Sequence, residues 1–219
     1  QGVAVSADGG ATWTDLGNPP IPAAYPSWQW SSDPVVCVDE SNGRFYYCGL
    51  GDSDARWDLV AQQVFFAQKD ASRLPGRQVG MDSWDGYAAS RRRVLEGFVH
   101  RRVRNPVVLT GDVHRHYAND LRLDFDRPET PPVGVELVTT SITSGGDGFD
   151  TAPQLKVERA ANPHIRYSSG RRGYLLTRYT RSELRADFRV LPYVQERGAP
   201  LRTDASFVVE DRRPGLQRA

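Results

Sequence analysis

Apolar and polar positions follow two different patterns along the chain, and the patterns meet near residue 49. Residues 1–48 contain short alternating stretches, such as residues 2–6, and a proline-rich loop at residues 19–26. This pattern predicts an all-β segment over 1–48. The stretches after residue 49 are longer and one has helical spacing, which predicts an α/β region over 49–219.

Within the second region, residues 57–66 predict a buried strand that runs into a loop. A helix of about 14 residues is predicted next, because apolar residues recur at helical spacing up to the break at Asn105-Pro106. The helical positions are Tyr87, Val94, Leu95, Phe98 and Val99. The arginines at 91–93 and 101–104 are expected on a solvated face. The continuous apolar run at 107–110 is typical of an interior strand.

The remainder of the chain predicts a series of strands. They are expected at residues 121–125, 133–143, 174–179, 184–191 and 205–209. A helix, a buried strand and then many strands together indicate an α/β layered sandwich.

Composition excludes several classes of protein. Hydrophobic residues make up 39% and charged residues 25%, which is ordinary for a globular chain and argues against extended disorder. The net charge is 28 − 27 = +1, so bulk charge predicts no nucleic-acid partner. No apolar run is long enough to predict a membrane span, and no signal peptide is recognised at the start of the chain.

Two cysteines flank a predicted hairpin. Asn42-Gly43 favours a two-residue turn, which would place Cys37 opposite Cys48 at a distance that a disulfide can span. A disulfide and two buried free thiols are both compatible with this arrangement.

Residues 6–13 read Ser-Ala-Asp-Gly-Gly-Ala-Thr-Trp. The pattern S-x-D-x-G-x-T-W resembles the Asp-box of sialidase-like β-propellers, where it forms a turn within one blade. The resemblance implies that residues 1–48 are a propeller-blade fragment. A propeller needs about four to eight blades, so this segment alone predicts no glycosidase site.

The strongest chemical motif follows the predicted strand at 107–110. Thr110-Gly111-Asp112-Val113-His114 places a carboxylate and an imidazole two residues apart, and an extended chain would point both to one side. Such a pair can hold a metal ion, although Gly-Asp turns near a surface histidine also occur by chance. On an extended chain His116 would point to the same side as Asp112 and His114, where it could join the site or simply be solvated.

Six segments, including the one that contains this motif, resemble the PhoD-like alkaline phosphatase family, in order, over about residues 49–215. They are residues 55–64, 84–87, 107–114, 140–146, 162–165 and 171–174, with a matching end at 186–190. The resemblance implies a metallophosphoesterase-like fold of two packed sheets flanked by helices, here only in part. It also implies a secreted or periplasmic enzyme that hydrolyses phosphate mono- and diesters with calcium and iron.

The resemblance assigns Asp112 and His114 as metal ligands. Arg172 is a candidate phosphate contact, since an arginine fork suits phosphate oxygens, with a solvated surface as the alternative; His116 is a second candidate. The family's early cysteine, aspartate, tyrosine and asparagine ligands have no counterpart in residues 1–48. We therefore expect a chimera of a blade fragment (1–48) and a phosphatase C-terminal region (49–219), inactive or nearly so. A carbohydrate-binding module and a non-catalytic remnant are the alternatives.

Overall fold

The computed structural model describes residues 57–72, 76–149 and 152–219, together with four short strands that precede them. The chain divides into two compact units, residues 1–35 and 36–219. The domain boundary that the sequence pattern places at 48/49 stays a prediction.

In the first unit, strand β1 (Ala4–Val5) pairs antiparallel with strand β2 (Thr14–Asp15). The Asp-box residues between these strands, 6–13, lie outside the described residues. The propeller-blade interpretation therefore also stays a prediction.

The second unit begins with a hairpin, as predicted, but its register differs. Strands β3 (Val36–Asp39) and β4 (Arg44–Tyr47) pair so that Cys37 lies opposite Tyr46. The predicted placement of Cys37 opposite Cys48 is therefore wrong, because the register of two paired strands fixes which residues face each other. Cys48 itself lies outside the described residues, and the disulfide is not tested.

The α/β part opens with strand β5 (Asp58–Ala61), a single 3-10 turn (Trp84–Tyr87), helix α1 (Ala88–His100) and strand β6 (Pro106–Thr110). The predicted helix and interior strand are confirmed. The helix ends where Arg102 and Asn105 adopt left-handed backbone conformations, with φ of 52° and 54°. All five residues of β6 are buried.

The remaining elements are strands, with one further helix. They are β7 (His116–Leu121), β8 (Gly134–Val138), β9 (Gly148–Phe149), α2 (Ala152–Ala161), β10 (Ile165–Tyr179), β11 (Glu183–Leu191), β12 (Arg202–Glu210) and β13 (Arg213–Arg218).

The predicted strand at 121–125 is wrong, since β7 ends at Leu121 and the chain turns where Asp124 accepts a hydrogen bond from the Asp126 amide at 2.9 Å. Helix α2 and strand β13 were not predicted.

Among residues 57–72, 76–149 and 152–219, the strands form one mixed sheet of nine strands. Its order is β13-β12-β11-β10-β7-β8-β6-β5, with β9 added beside β10. Strands β5, β6 and β8 run parallel, and the other pairs are antiparallel. The second sheet of the expected sandwich is not found in these residues.

The core lies where α1 packs on the parallel strands. Phe65, Phe66, Leu95, Val108 and Tyr117 are almost fully buried there, and Phe66 packs edge-on against Trp84. A second aromatic group joins β7 to the C-terminal strands; its members are His116, Tyr167, Phe188 and Phe207. Neither described helix combines the length and apolar character that crossing a lipid bilayer requires.

Two histidines belong to this interior. Burial lowers the pKa of both His116 and His164 to about 4, because a charged imidazolium loses its hydration there. His164 forms a 2.6 Å hydrogen bond with the backbone oxygen of Gln68. This bond raises the pKa of His164, but the lowering by burial is larger. Both side chains are therefore neutral at pH 7.

These two histidines predict acid-sensitive stability. Their pKa in the folded chain lies below the unfolded value of 6.5, so the unfolded state binds more protons as the pH falls. We expect the free energy of unfolding to decrease from about pH 6.5 to about pH 4, by roughly 3 kcal/mol for each histidine.

Denaturant melts of the wild type and His116→Leu across this range test the prediction. The variant should lose the part of this pH dependence that His116 contributes, about half of the expected slope. Equal slopes for His116→Leu and the wild type would contradict it.

Candidate metal-binding edge of the sheet

The Asp-x-His motif lies on the connection between β6 and β7, at the edge where the parallel strands end. Strands β5, β6 and β8 all finish at this edge, where Gln63 lies two residues after β5, and Gly111 and Thr139 directly follow β6 and β8. The Gly111 amide donates to the Gln63 oxygen and the Thr139 amide to the Thr110 oxygen, which joins the three strand ends. Carboxyl edges of parallel strands are the usual place for ligands in such sheets.

Asp112 and His114 both have left-handed backbones, with φ of 65° and 52°. The motif is therefore not the extended chain that the sequence analysis assumed. Both side chains are nevertheless exposed, while Val113 between them packs against the core. Two non-glycine residues in this conformation cost about 1–3 kcal/mol each, so surrounding contacts must hold the loop.

Arg172 provides one such contact, and its buried position does not support the predicted phosphate contact. Its guanidinium is buried, and donates to the backbone oxygens of His114 at 2.7 Å, Gly146 at 3.0 Å and Gly145 at 3.2 Å. A longer contact of 3.5 Å reaches the Thr140 hydroxyl. These bonds use one or more N–H groups of each of Nε, Nη1 and Nη2 within the protein itself.

The two glycines of the Ser-Gly-Gly segment allow this arrangement. Gly145 and Gly146 have φ of 83° and 63°. A Cβ on Gly145 would lie 2.6 Å from Arg172 Nη2, and a Cβ on Gly146 would lie 2.7 Å from the Gln195 side chain. Only glycine adopts this left-handed backbone easily and also has no Cβ that would meet these side chains.

His116, the other candidate for substrate contact, is fully buried. Its ring packs edge-on against Phe188 at 5.2 Å between centroids, and neither ring nitrogen has a hydrogen bond of normal geometry within the described part of the chain. The ring therefore belongs to the core, and its position does not support a substrate contact.

Glu136, which the sequence analysis did not identify, accepts four hydrogen bonds that link the elements of this region. Its carboxylate is fully buried in β8 and accepts from the amides of Phe66 at 2.7 Å and Ala67 at 2.9 Å. The Thr110 hydroxyl and the Asn119 amide donate to it at 2.7 and 2.9 Å. Burial raises its pKa, and the four donors oppose that shift. The sequence does contain a signal for this residue, because Glu136 is the one charged residue in the apolar run 133–138.

A chain of side-chain hydrogen bonds leads from Glu136 to the start of the motif. Trp84 donates to the Gln62 side chain at 3.0 Å, and Gln62 donates to the Thr110 hydroxyl at 2.6 Å. Thr110 in turn donates to Glu136. Thr110 immediately precedes Gly111, so this chain fixes the point where the loop leaves β6.

The Asn-Pro-His segment fixes the neighbouring loop at residues 65–70. Asn162 bonds to both the amide and the carbonyl of Asp70 at 2.8 Å, and His164 bonds to Gln68. Asp85 accepts from the Lys69 amide at 2.9 Å. Asn162 and His164 are therefore structural here.

The expected solvation of the arginine runs holds only in part. Arg92 and Arg93 are exposed, but Arg91 is buried and pairs with Asp85 at 2.5 Å. Arg91 also donates to the Phe66 oxygen at 3.4 Å. A buried guanidinium requires such a partner. Asp85 lies six residues before Arg91, in the turn that precedes α1, and the helical pattern does not indicate this pairing.

The donors at this edge fit a metal ion in type but not in number. Asp112 and His114 offer a carboxylate and an imidazole, both suited to divalent and trivalent cations. Within the described ranges, no group of three or more histidine, cysteine, aspartate or glutamate side chains could hold a metal. The described residues thus supply one pair of donors.

The mixed sheet, with Asp112 and His114 exposed where its parallel strands end, has the α/β architecture in which ligands usually lie at that edge. The sequence profile described as PhoD-like phosphatase matches residues 44–188. The chain belongs to the PhoD-like phosphatase family.

Two relatives support the assignment. The chain is 41% identical over 175 residues to "Alkaline phosphatase D" of Bacillus subtilis (strain 168), covering 80% of this chain and 30% of that protein. A solved structure titled "Structure of PhoD" matches with a TM-score of 0.73 and 42% identity, covering 78% of this chain and 33% of the other. The chain therefore spans about a third of the length of these relatives.

The carboxylate of Glu136 should be essential to stability. We expect Glu136→Leu to lower the free energy of unfolding by about 3–5 kcal/mol, because buried donors at Phe66, Ala67 and Asn119 lose their acceptor. Urea denaturation measures this loss.

Glu129→Ala is the matched control for this variant. Glu129 pairs with Arg127 on the surface, and exposed pairs contribute little, so its loss should lower the free energy of unfolding far less than Glu136→Leu does. Similar losses of unfolding free energy in the two variants would show that the Glu136 carboxylate is not essential to stability.

Proposed function

We propose that this chain carries the Asp112–His114 ligand pair of a metal-dependent phosphoesterase. The observation that supports the proposal is the exposure of both side chains on one constrained loop at the carboxyl edge of the parallel strands. Membership of the PhoD-like phosphatase family favours phosphate mono- or diesters as substrates. Calcium and iron are the proposed metals, and a secreted or periplasmic location is proposed with them.

The roles of the chain's own residues follow from their positions. Asp112 and His114 would hold metal, and bound cations would polarise phosphoryl oxygens and activate a nucleophile. Glu136, Thr110 and Arg172 hold the loop that carries the two ligands. Further ligands are required beyond this pair, since an open site with so few donors binds weakly.

Metal binding can be tested without turnover. Mn²⁺ broadens the NMR signals of nearby nuclei even when it binds weakly, so added Mn²⁺ should broaden the imidazole signals of His114 before those of exposed His100. Asp112→Asn should reduce this selective broadening severalfold, because a neutral amide is a poorer ligand than a carboxylate.

Asp82→Asn is the matched control, since Asp82 is an exposed aspartate that is not part of the motif. It should leave the broadening at His114 unchanged. Equal broadening of His114 and His100 in the wild type would refute the proposed ligand pair.

Turnover addresses the completeness of the site. With calcium and iron supplied, we expect at most trace hydrolysis of an aryl phosphate and an aryl phosphodiester by this chain. Robust hydrolysis that Asp112→Ala abolishes would instead show that the chain forms a complete site.

A further inference from the structure

Arg172 joins two loops that are far apart in sequence. It lies on β10, and its guanidinium reaches the Asp112–His114 loop on one side and the Gly145–Gly146 turn on the other. Only 4% of the residue is exposed, and no carboxylate of the described ranges pairs with it. Backbone oxygens thus provide the polar environment of this buried cation.

The bond to His114 constrains the backbone of a proposed metal ligand. The His114 oxygen lies 2.7 Å from Arg172 Nη1, and a peptide group is planar. Fixing this oxygen therefore fixes the peptide that follows His114 and stabilises the left-handed conformation there. The direction of the imidazole depends on that backbone.

The second loop is held by independent contacts. Asp147 accepts from the amides of Val194 at 2.7 Å and Gln195 at 3.0 Å, and the Gly173 amide donates to the Ser141 oxygen at 3.3 Å. The turn at Gly145–Gly146 is therefore a fixed support for Arg172. Through it, the guanidinium can hold His114 in place.

We propose that Arg172 is a positioning residue, which orients His114 through its backbone oxygen and joins the metal-ligand loop to the Gly145–Gly146 turn. The part of this proposal that concerns metal rests on the proposed function. The geometric part concerns this chain's backbone alone and is tested separately.

Arg172→Lys is the first test, because lysine keeps the positive charge but cannot reach three carbonyl groups at once. Two amides report on the loops: Val113 donates to Gly111 at 2.8 Å, and Gly146 donates to Thr143 at 3.1 Å. We expect hydrogen exchange at both amides to accelerate by about tenfold or more, as local opening becomes easier.

Arg166→Lys is the matched control on the same strand. Arg166 bonds to Asp120 and contacts neither loop, so its replacement should leave both amides unchanged. Unchanged exchange at Val113 and Gly146 in folded Arg172→Lys would overturn the proposal.

A pair of glycine variants tests the same link should Arg172→Lys fail to fold. Gly145→Ala and Gly198→Ala introduce a methyl group at similar positive φ, but the first meets Arg172 and the second meets no atom within 4 Å. Gly145→Ala should accelerate exchange at Val113, and Gly198→Ala should not. Equal effects of the two variants at Val113 would overturn the proposal.

Mn²⁺ broadening separates positioning from a merely structural role. Arg172→Lys should reduce the selective broadening of the His114 imidazole severalfold while the protein remains folded. Full broadening in the variant would overturn the metal-related part. If Mn²⁺ does not select His114 even in the wild type, the proposed function fails, and the exchange experiments alone decide whether Arg172 holds the loop.

Discussion

The buried carboxylate of Glu136 is the constraint on which the carboxyl edge of the sheet depends. It accepts four hydrogen bonds, two from the amides of Phe66 and Ala67, and no cationic side chain of the described residues pairs with it. Such a group is costly to bury, so its four donors must remain in place. The loop after β5, the end of β6 and the middle of β8 are thereby fixed relative to one another.

Several motif residues that suggest chemistry in the sequence are structural in the fold. Arg172 holds two loops, Asn162 holds the backbone of Asp70, and Asp85 pairs with Arg91. These are polar groups satisfied in the interior, as burial requires. The candidate ligands Asp112 and His114 are instead exposed, on one short loop.

The sequence predicts local features well and distant contacts poorly. Helix α1 and strand β6 follow from periodicity and an apolar run, and the motif loop follows directly from its position after β6. Glu136 meets Phe66 across 70 residues and Arg172 meets His114 across 58, and no local pattern indicates either pairing. The register of β3 against β4 differs from the one that the local sequence suggests, and the left-handed backbones of the motif depend on tertiary contacts.

Strand β10 belongs to three pairings in succession. Its first residues pair with β7, Gly170 and Arg171 pair with β9, and the residues from Arg172 onward pair with β11. The guanidinium that contacts His114 thus lies where the pairing with β11 begins. An insertion or deletion in this strand would shift the C-terminal strands against the rest of the sheet and detach the ligand loop in the same event, so length variation among relatives should be excluded from this stretch.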